Sequence, residues 1–257
     1  DPVDGYYNAW SPEEVRYIND LDEFLAFRAE VNSGVSFAGV IVRLNVDLDF
    51  IDLDWTENIG NAEHPFEGIF DGQHNAIKNL YLISRPSVAR DYLGLFGVIS
   101  GGAVIKNVVL EDLYFVPGGG GQYVGTVVGY ASSGAVIEGN IVNKLEVKGT
   151  EYVGGLVGYA SNGVTIEGNV VNQLKVEGTE YVGGLVGYAS SGAVIEGNIV
   201  NKLEVKGTEY VGGLVGYASN DVVIVGNTVQ DLTVQGTSSV GGLVGYASND
   251  VVIVGNT

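Results

Sequence analysis

The chain reads as an all-β parallel β-solenoid, and three observations predict it. A 29-residue unit recurs, with copies opening at Val124, Val153, Val182, Val211 and Val240. Self-similarity at a fixed period is the signature of a stacked repeat architecture. Each copy holds three apolar runs separated by Gly or Asn; in the second copy they are VGGLVGYA, VTIEGNVV and LKVEG. Runs of this length between turn residues read as strands, so each coil is expected to carry three short strands. Glycine supplies 40 of the 257 residues. The five glycines within those three runs would cost a helix about 1 kcal/mol each, which disfavours helical repeats.

The elements follow in order. Residues 1–36 form a lead-in and an N-terminal α-helical cap. Ser11-Pro12-Glu13-Glu14 carries a helix-start signal: a capping Ser, Pro at the first helical position and acids in the first turn. Asp20 to Val31 places Leu21, Phe24, Leu25 and the Arg28 stem at i, i+3, i+4 and i+7, the spacing of an amphipathic helix. Asn32-Ser33-Gly34 ends it. From Phe37 the period changes to two: Val40, Val42 and Leu44 alternate with Ile41, Arg43 and Asn45. Residues 37–123 are then irregular coils, and residues 124–257 are the regular array, all in one continuous body.

Composition narrows the function. A hydrophobic content of 46% suffices for a continuous core. A net charge of −19 excludes nucleic acid, which needs clustered Lys and Arg. No apolar stretch approaches the ~18 residues of a spanning helix, so no membrane insertion is expected in this segment. There is no Cys and no Met, not even at position 1. A processed mature end or a cut fragment accounts for that start, and removal of a signal peptide is one such processing.

Read down the stack, the repeat becomes columns. Asn140, Asn169, Asn198, Asn227 and Asn256 form one expected amide ladder, and Asn143, Asn172 and Asn201 a second. Glu146, Lys175 and Glu204 alternate in sign against Lys148, Glu177 and Lys206, which pins register. Glu138, Glu167 and Glu196 stack like charges, as do Glu151, Glu180 and Glu209, so their side chains either splay into solvent or hold a cation. Two tyrosine columns run through the array: Tyr130, Tyr159, Tyr188, Tyr217 and Tyr246, and Tyr123, Tyr152, Tyr181 and Tyr210. Stacked aromatics stabilise a solenoid face, and an exposed ladder also offers a surface for sugar rings or a partner protein. The column of Tyr123, Tyr152, Tyr181 and Tyr210, with Glu151, Glu180 and Glu209 beside it, is the candidate ligand-binding face.

Little catalytic chemistry is available. His64 and His74 match no zinc spacing, and VGGLVG lacks the Lys-Ser/Thr of a phosphate loop. The richest polar cluster is Asp47, Asp49, Asp52 and Asp54. Its hard oxygens suit Ca²⁺ but lack the twelve-residue loop spacing of an EF-hand. Solvated edge charge, which also blocks edge pairing, is the favoured reading over a metal site. Asp47, Asp49 or Asp71 would be the acids of a polysaccharide-processing site, if one hides in the irregular coils.

Gly155-Leu156-Val157-Gly158, Gly184-Leu185-Val186-Gly187, Gly213-Leu214-Val215-Gly216 and Gly242-Leu243-Val244-Gly245 resemble the GLUG motif repeat (Gly-Leu-hydrophobic-Gly). Phe66 to Leu82 and the leading helix resemble the segment that often precedes such repeats. Thr126-Val127-Val128-Gly129 departs from the motif. The resemblance implies a secreted or surface-anchored bacterial protein of the adhesin-like kind. Some immunoglobulin A peptidases also carry such repeats, with their catalytic elements outside them.

The expected function is therefore structural or adhesive: a rod at the cell surface, not an enzyme, presenting a repetitive acidic face for multivalent binding to a host or cell-surface protein or glycan. A self-assembling extracellular fibre subunit is the alternative, because Thr257 falls inside a coil and copies of the chain would stack there. Residues 131–152 and 189–210 are identical over 22 positions, which points to duplication and to length as the variable.

Overall fold

The computed structural model describes residues 14–51, 53, 55, 57–82, 91–115 and 121–257. The chain winds through about eight turns of a parallel β-solenoid. Four sheets run along its axis. A nine-stranded sheet begins at Glu14–Ile18 and Val40–Leu44, passes through Thr165–Glu167 and ends at Val252–Val254. An eight-stranded sheet holds the long strands Val109–Phe115, Ile141–Lys148, Val170–Glu177, Ile199–Lys206 and Thr228–Gln235. Two six-stranded sheets complete the coil: a short one from Tyr92–Leu93 to Val240–Gly241, and one from Phe96–Ile99 to Val244–Ser248. Residues 29 apart pair in register, as in Ile141↔Val170↔Ile199.

Each regular coil thus has four strand segments, not the expected three. The first apolar run breaks at Gly155-Leu156 into Tyr152–Gly154 and Val157–Ala160. The third run fuses with the end of the second into Val170–Glu177. That fused strand bends at Gln173, whose φ is 56°. Asp112, Lys144, Lys202 and Asp231 take the same left-handed conformation at the matching positions. The bend resets the alternation, so Val171, Leu174 and Val176 all point inward.

The core is a set of aliphatic columns that turn aromatic toward the N-terminus. Ile166, Ile137 and Ile105 stack onto Phe70, and Val157 and Val128 onto Phe96. The helix Leu21–Asn32 closes that end, burying Phe24, Phe27 and Val31. Phe24 meets Phe50, Trp55 and Phe70 at ring-centroid distances of 5.7, 6.0 and 6.3 Å. The Asp20 carboxylate accepts the Glu23 amide at 2.8 Å, and the Glu23 carboxylate accepts the Asn19 amide at 2.7 Å, so the helix N-terminus is capped.

The helix expected from Ser11-Pro12 does not extend into the described residues. Glu14–Ile18 is instead an edge strand paired with Val40–Leu44. Its Val15, Tyr17 and Ile18 favour a pleated surface, and pairing with the first coil outweighs the local start signal.

Both amide ladders form. Asn140, Asn169, Asn198 and Asn227 are 0% exposed. The side-chain oxygens of Asn169, Asn198 and Asn227 each accept both the backbone N–H and the side-chain amide of the Asn one coil earlier, as Asn198 does from Asn169 at 3.0 Å, and Asn140 at the head of the ladder accepts the Val108 backbone N–H at 3.0 Å. In the outer ladder, Asn201 donates to Asn172, and Asn172 to Asn143, at 2.9 Å. The alternating charges close into a square. Lys148 meets Glu146 and Glu177 at 3.1 and 3.0 Å, and Lys175 meets Glu177 and Glu146 at 2.9 and 3.6 Å.

Candidate functional site

The motif glycines build the site. A Cβ on Gly158 would lie 2.6 Å from both the Gly129 carbonyl oxygen and the Val124 amide nitrogen. A Cβ on Gly155 would run into the Gly184 carbonyl oxygen and the Leu174 side chain. Only glycine lets the Val157–Ala160 strand lie directly against the Tyr123–Val124 strand of the preceding coil. The two six-stranded sheets therefore approach backbone to backbone. Where Thr126 replaces the first motif glycine, its buried hydroxyl donates to the Gly155 carbonyl, converting a close approach into a hydrogen bond.

That approach brings the two tyrosine columns together, which sequence reading treated as separate. In the first column, Tyr92, Tyr123, Tyr152, Tyr181 and Tyr210 stack at centroid distances of 5.0, 4.8, 5.0 and 5.1 Å, with ring planes within 10° of parallel. In the second, Tyr130, Tyr159, Tyr188, Tyr217 and Tyr246 stack at 5.2, 4.8, 4.9 and 5.0 Å, tilted by 23–47°. Edge-to-face contacts tie one column to the other, as Tyr181 to Tyr188 at 5.4 Å and Tyr210 to Tyr217 at 5.2 Å. Tyr92 escaped the 29-residue period because its coil is two residues longer. Its Tyr-Leu-Gly context, matching Tyr123-Val124-Gly125, was the available signal.

The columns differ at their hydroxyls. Tyr159 and Tyr188 meet the buried Ser190 and Ser219 hydroxyls at 3.1 Å, and Tyr130 meets Ser161 at 3.4 Å. Among the described residues, the first-column hydroxyls make no such bond. Burial pushes the phenols of Tyr92, Tyr123, Tyr159 and Tyr181 up, and that of Tyr152 up to about 12. A smaller contribution from Glu151 acts on Tyr123 and Tyr152, and one from Glu180 on Tyr181, placing these carboxylates alongside the rings. The phenols stay neutral donors at ordinary pH.

Gln122 heads the Glu151, Glu180, Glu209 column, and its side-chain amide donates to Glu151 at 2.7 Å. In the last copy Ser238 and Ser239 stand where the others have Glu and Tyr, so the paired Glu–Tyr surface ends at Tyr210. Because the first-column rings cover one another's faces, solvent meets ring edges and hydroxyls. Stacking of a sugar on a ring face, raised by the sequence, finds no open face inside this column.

The aspartate cluster divides. Asp52 and Asp54 lie outside the described residues. Asp47 accepts the Ala76 amide at 2.8 Å and pairs with Lys78 at 3.1 Å, which holds its carboxyl below the usual range. Asp49 accepts the Asn79 side-chain amide at 2.7 Å and the Ile51 amide at 3.0 Å. Asp71, on the nine-stranded sheet, accepts the Asn107 side-chain amide of the following coil at 3.1 Å. All three carboxylates tie coil to coil. Among the described residues, no group of three or more His, Asp or Glu is arranged to hold a metal ion. No helix among them is long and apolar enough to cross a membrane.

The Glu138, Glu167, Glu196 column lines a shallow groove with Gly139, Gly168 and Gly197. Lys106 reaches Glu138 at 3.8 Å from the preceding coil.

No protein-family model matches the chain, and no curated protein sequence matches it. Among solved structures it is similar to a putative immunoglobulin A1 protease from Bacteroides ovatus, with a TM-score of 0.63 and 19% identity, over 94% of this chain and 75% of that one. At that identity the likeness is one of fold.

Proposed function

We propose that the chain is a rigid, non-enzymatic β-solenoid rod that acts at a bacterial cell surface as a structural or adhesive element of the GLUG-repeat kind. The observation that carries this is the double tyrosine ladder flanked by Glu151, Glu180 and Glu209. It offers the same phenol–carboxylate pair in three successive coils on a rigid frame. Such a face favours multivalent binding, in which each added coil raises effective concentration rather than creating new chemistry. The partner on this proposal is a protein or a glycan recognised through ring edges and hydroxyls. The name of the Bacteroides ovatus protein brings a peptidase activity into view. What speaks for binding instead is the regularity of the ladder: an active site needs one asymmetric cluster, whereas this surface repeats. The fold likeness to a protein of that organism supports a bacterial setting.

The test is binding of the purified chain to arrayed surface proteins and glycans. Forms with one 29-residue coil deleted, and the variant Glu180→Ser with Tyr181→Ser, which imitates Ser238-Ser239 of the last copy, provide the comparison. Binding should fall more than proportionally with coil number and fall again in the variant. Binding indifferent to both changes, or turnover of an immunoglobulin or glycan substrate, would overturn the proposal.

A further inference from the structure

The first tyrosine column has a geometry that invites covalent chemistry between its members. Four successive ring pairs, from Tyr92–Tyr123 to Tyr181–Tyr210, lie 4.8–5.1 Å apart with planes 5–10° from parallel. Parallel rings related by one coil place like atoms opposite like atoms, so the carbon ortho to one hydroxyl faces the same carbon of the next ring. These rings are half-buried, and among the described residues their hydroxyls have no hydrogen-bond partner. The second column differs on each point. Its rings are tilted by 23–47°, and the Tyr130, Tyr159, Tyr188 and Tyr217 hydroxyls are engaged by serines. Cross-column contacts such as Tyr152–Tyr159 at 5.5 Å make all ten rings one connected array, through which an oxidised ring can exchange an electron with its neighbour.

We infer that the first column is a site of oxidative dityrosine cross-linking between successive coils. The co-reactant is hydrogen peroxide, used by a haem peroxidase or an equivalent one-electron oxidant. Each of two phenols gives up one electron and its hydroxyl proton. The two radicals join through their ortho carbons, and each ring then returns its ortho hydrogen to oxygen and regains its phenol. One carbon–carbon bond forms and two ring C–H bonds are lost. The two released protons and the two electrons reduce one peroxide to two waters. The bond forms by slippage of the stack at its solvent side, where two- and three-residue strands carry the rings. Each link closes a loop of one coil and restricts the unfolded chain, so a rod exposed to oxidant becomes covalently stapled along its axis.

The experiment treats the whole chain, at low concentration, with hydrogen peroxide and a haem peroxidase. Dityrosine fluorescence is measured, and cross-linked peptides are mapped by mass spectrometry after digestion. The expected result is intramolecular links between neighbours among Tyr92, Tyr123, Tyr152, Tyr181 and Tyr210, with a yield independent of protein concentration. Tyr152→Phe keeps the ring and the stack but removes two of the four pairs, so dityrosine should fall by about half while the Tyr181–Tyr210 link persists. Tyr159→Phe should leave first-column links unchanged. Circular dichroism of each variant establishes that the coil stack is retained. Absence of dityrosine, links only between molecules, or links mapping to the second column or outside both columns would overturn the inference.

Discussion

Replacing Asn198 by Ala removes one rung from the buried amide ladder, and the consequences can be counted. The backbone N–H of Asn169 loses its acceptor, the Asn198 side-chain oxygen at 3.0 Å. The Asn169 side-chain amide loses one of its two acceptors and keeps Ile137. The Ile166 carbonyl and the Asn227 side-chain oxygen each lose a donor at 2.9 Å, although Asn227 retains the Asn198 backbone amide at 3.0 Å. Each buried group stranded without a partner costs ~1–3 kcal/mol, so one stranded N–H with one half-satisfied amide and one weakened carbonyl gives a loss of about 3–5 kcal/mol. Asn172→Ala in the outer, half-buried ladder removes bonds that water replaces and should cost only ~0.5–1.5 kcal/mol. Urea denaturation followed by circular dichroism measures both changes. Hydrogen exchange localises the first, because each coil leans mainly on its neighbours: Asn169 should lose protection before amides several coils away. Equal costs for the two substitutions would refute the argument that burial makes the inner ladder structural.

Two further outcomes follow from the site. Gly158→Ala drives a methyl into backbone atoms at 2.6 Å that no rotamer change relieves, so a loss of about 3 kcal/mol is expected. The same change should pry the tyrosine columns apart and alter the near-ultraviolet dichroism, and a silent substitution there would undo the account of the motif. The second outcome concerns pH. The Tyr152 phenol is raised in the folded chain from 10.0 to about 12, chiefly by burial. Stabilisation from the neutral phenols is therefore complete below the unfolded value near 10 and is lost as pH rises through the folded value near 12. Tyrosinate absorbance should lag that of the urea-unfolded chain, with unfolding setting in over the same window. Titration of Tyr152 at the unfolded value would contradict this.

The parts legible in the sequence were those that translation along the axis fixes. Once Ile141, Val170 and Ile199 are 29 apart, parallel in-register stacking makes neighbours of them, and the Asn ladders and the Glu146–Lys175 alternation follow. Less legible was whatever depends on how the chain turns within a coil. The break at Gly155-Leu156 and the left-handed bend at Gln173 involve residues that periodicity alone does not assign to a turn. Asp47 looked like a ligand because its Asp neighbours are visible in sequence, whereas Ala76 and Lys78, its partners, lie one coil away. The Ser11-Pro12 start signal was local, and pairing of Glu14–Ile18 with the first coil decided against a helix there.

By itself, the sequence determined the repeat length, the columns and the presence of a helix over Leu21–Asn32, because each is a statement about neighbours along one axis. Only the tertiary structure decided which columns face each other around that axis. It brought Tyr152 against Tyr159 and Tyr188, left the first-column hydroxyls without partners among the described residues and tied the second to serines. The physical reason is that a 29-residue period fixes the spacing between coils but not the path within one. That path is set by where glycine permits two backbones to touch, at Gly155 and Gly158.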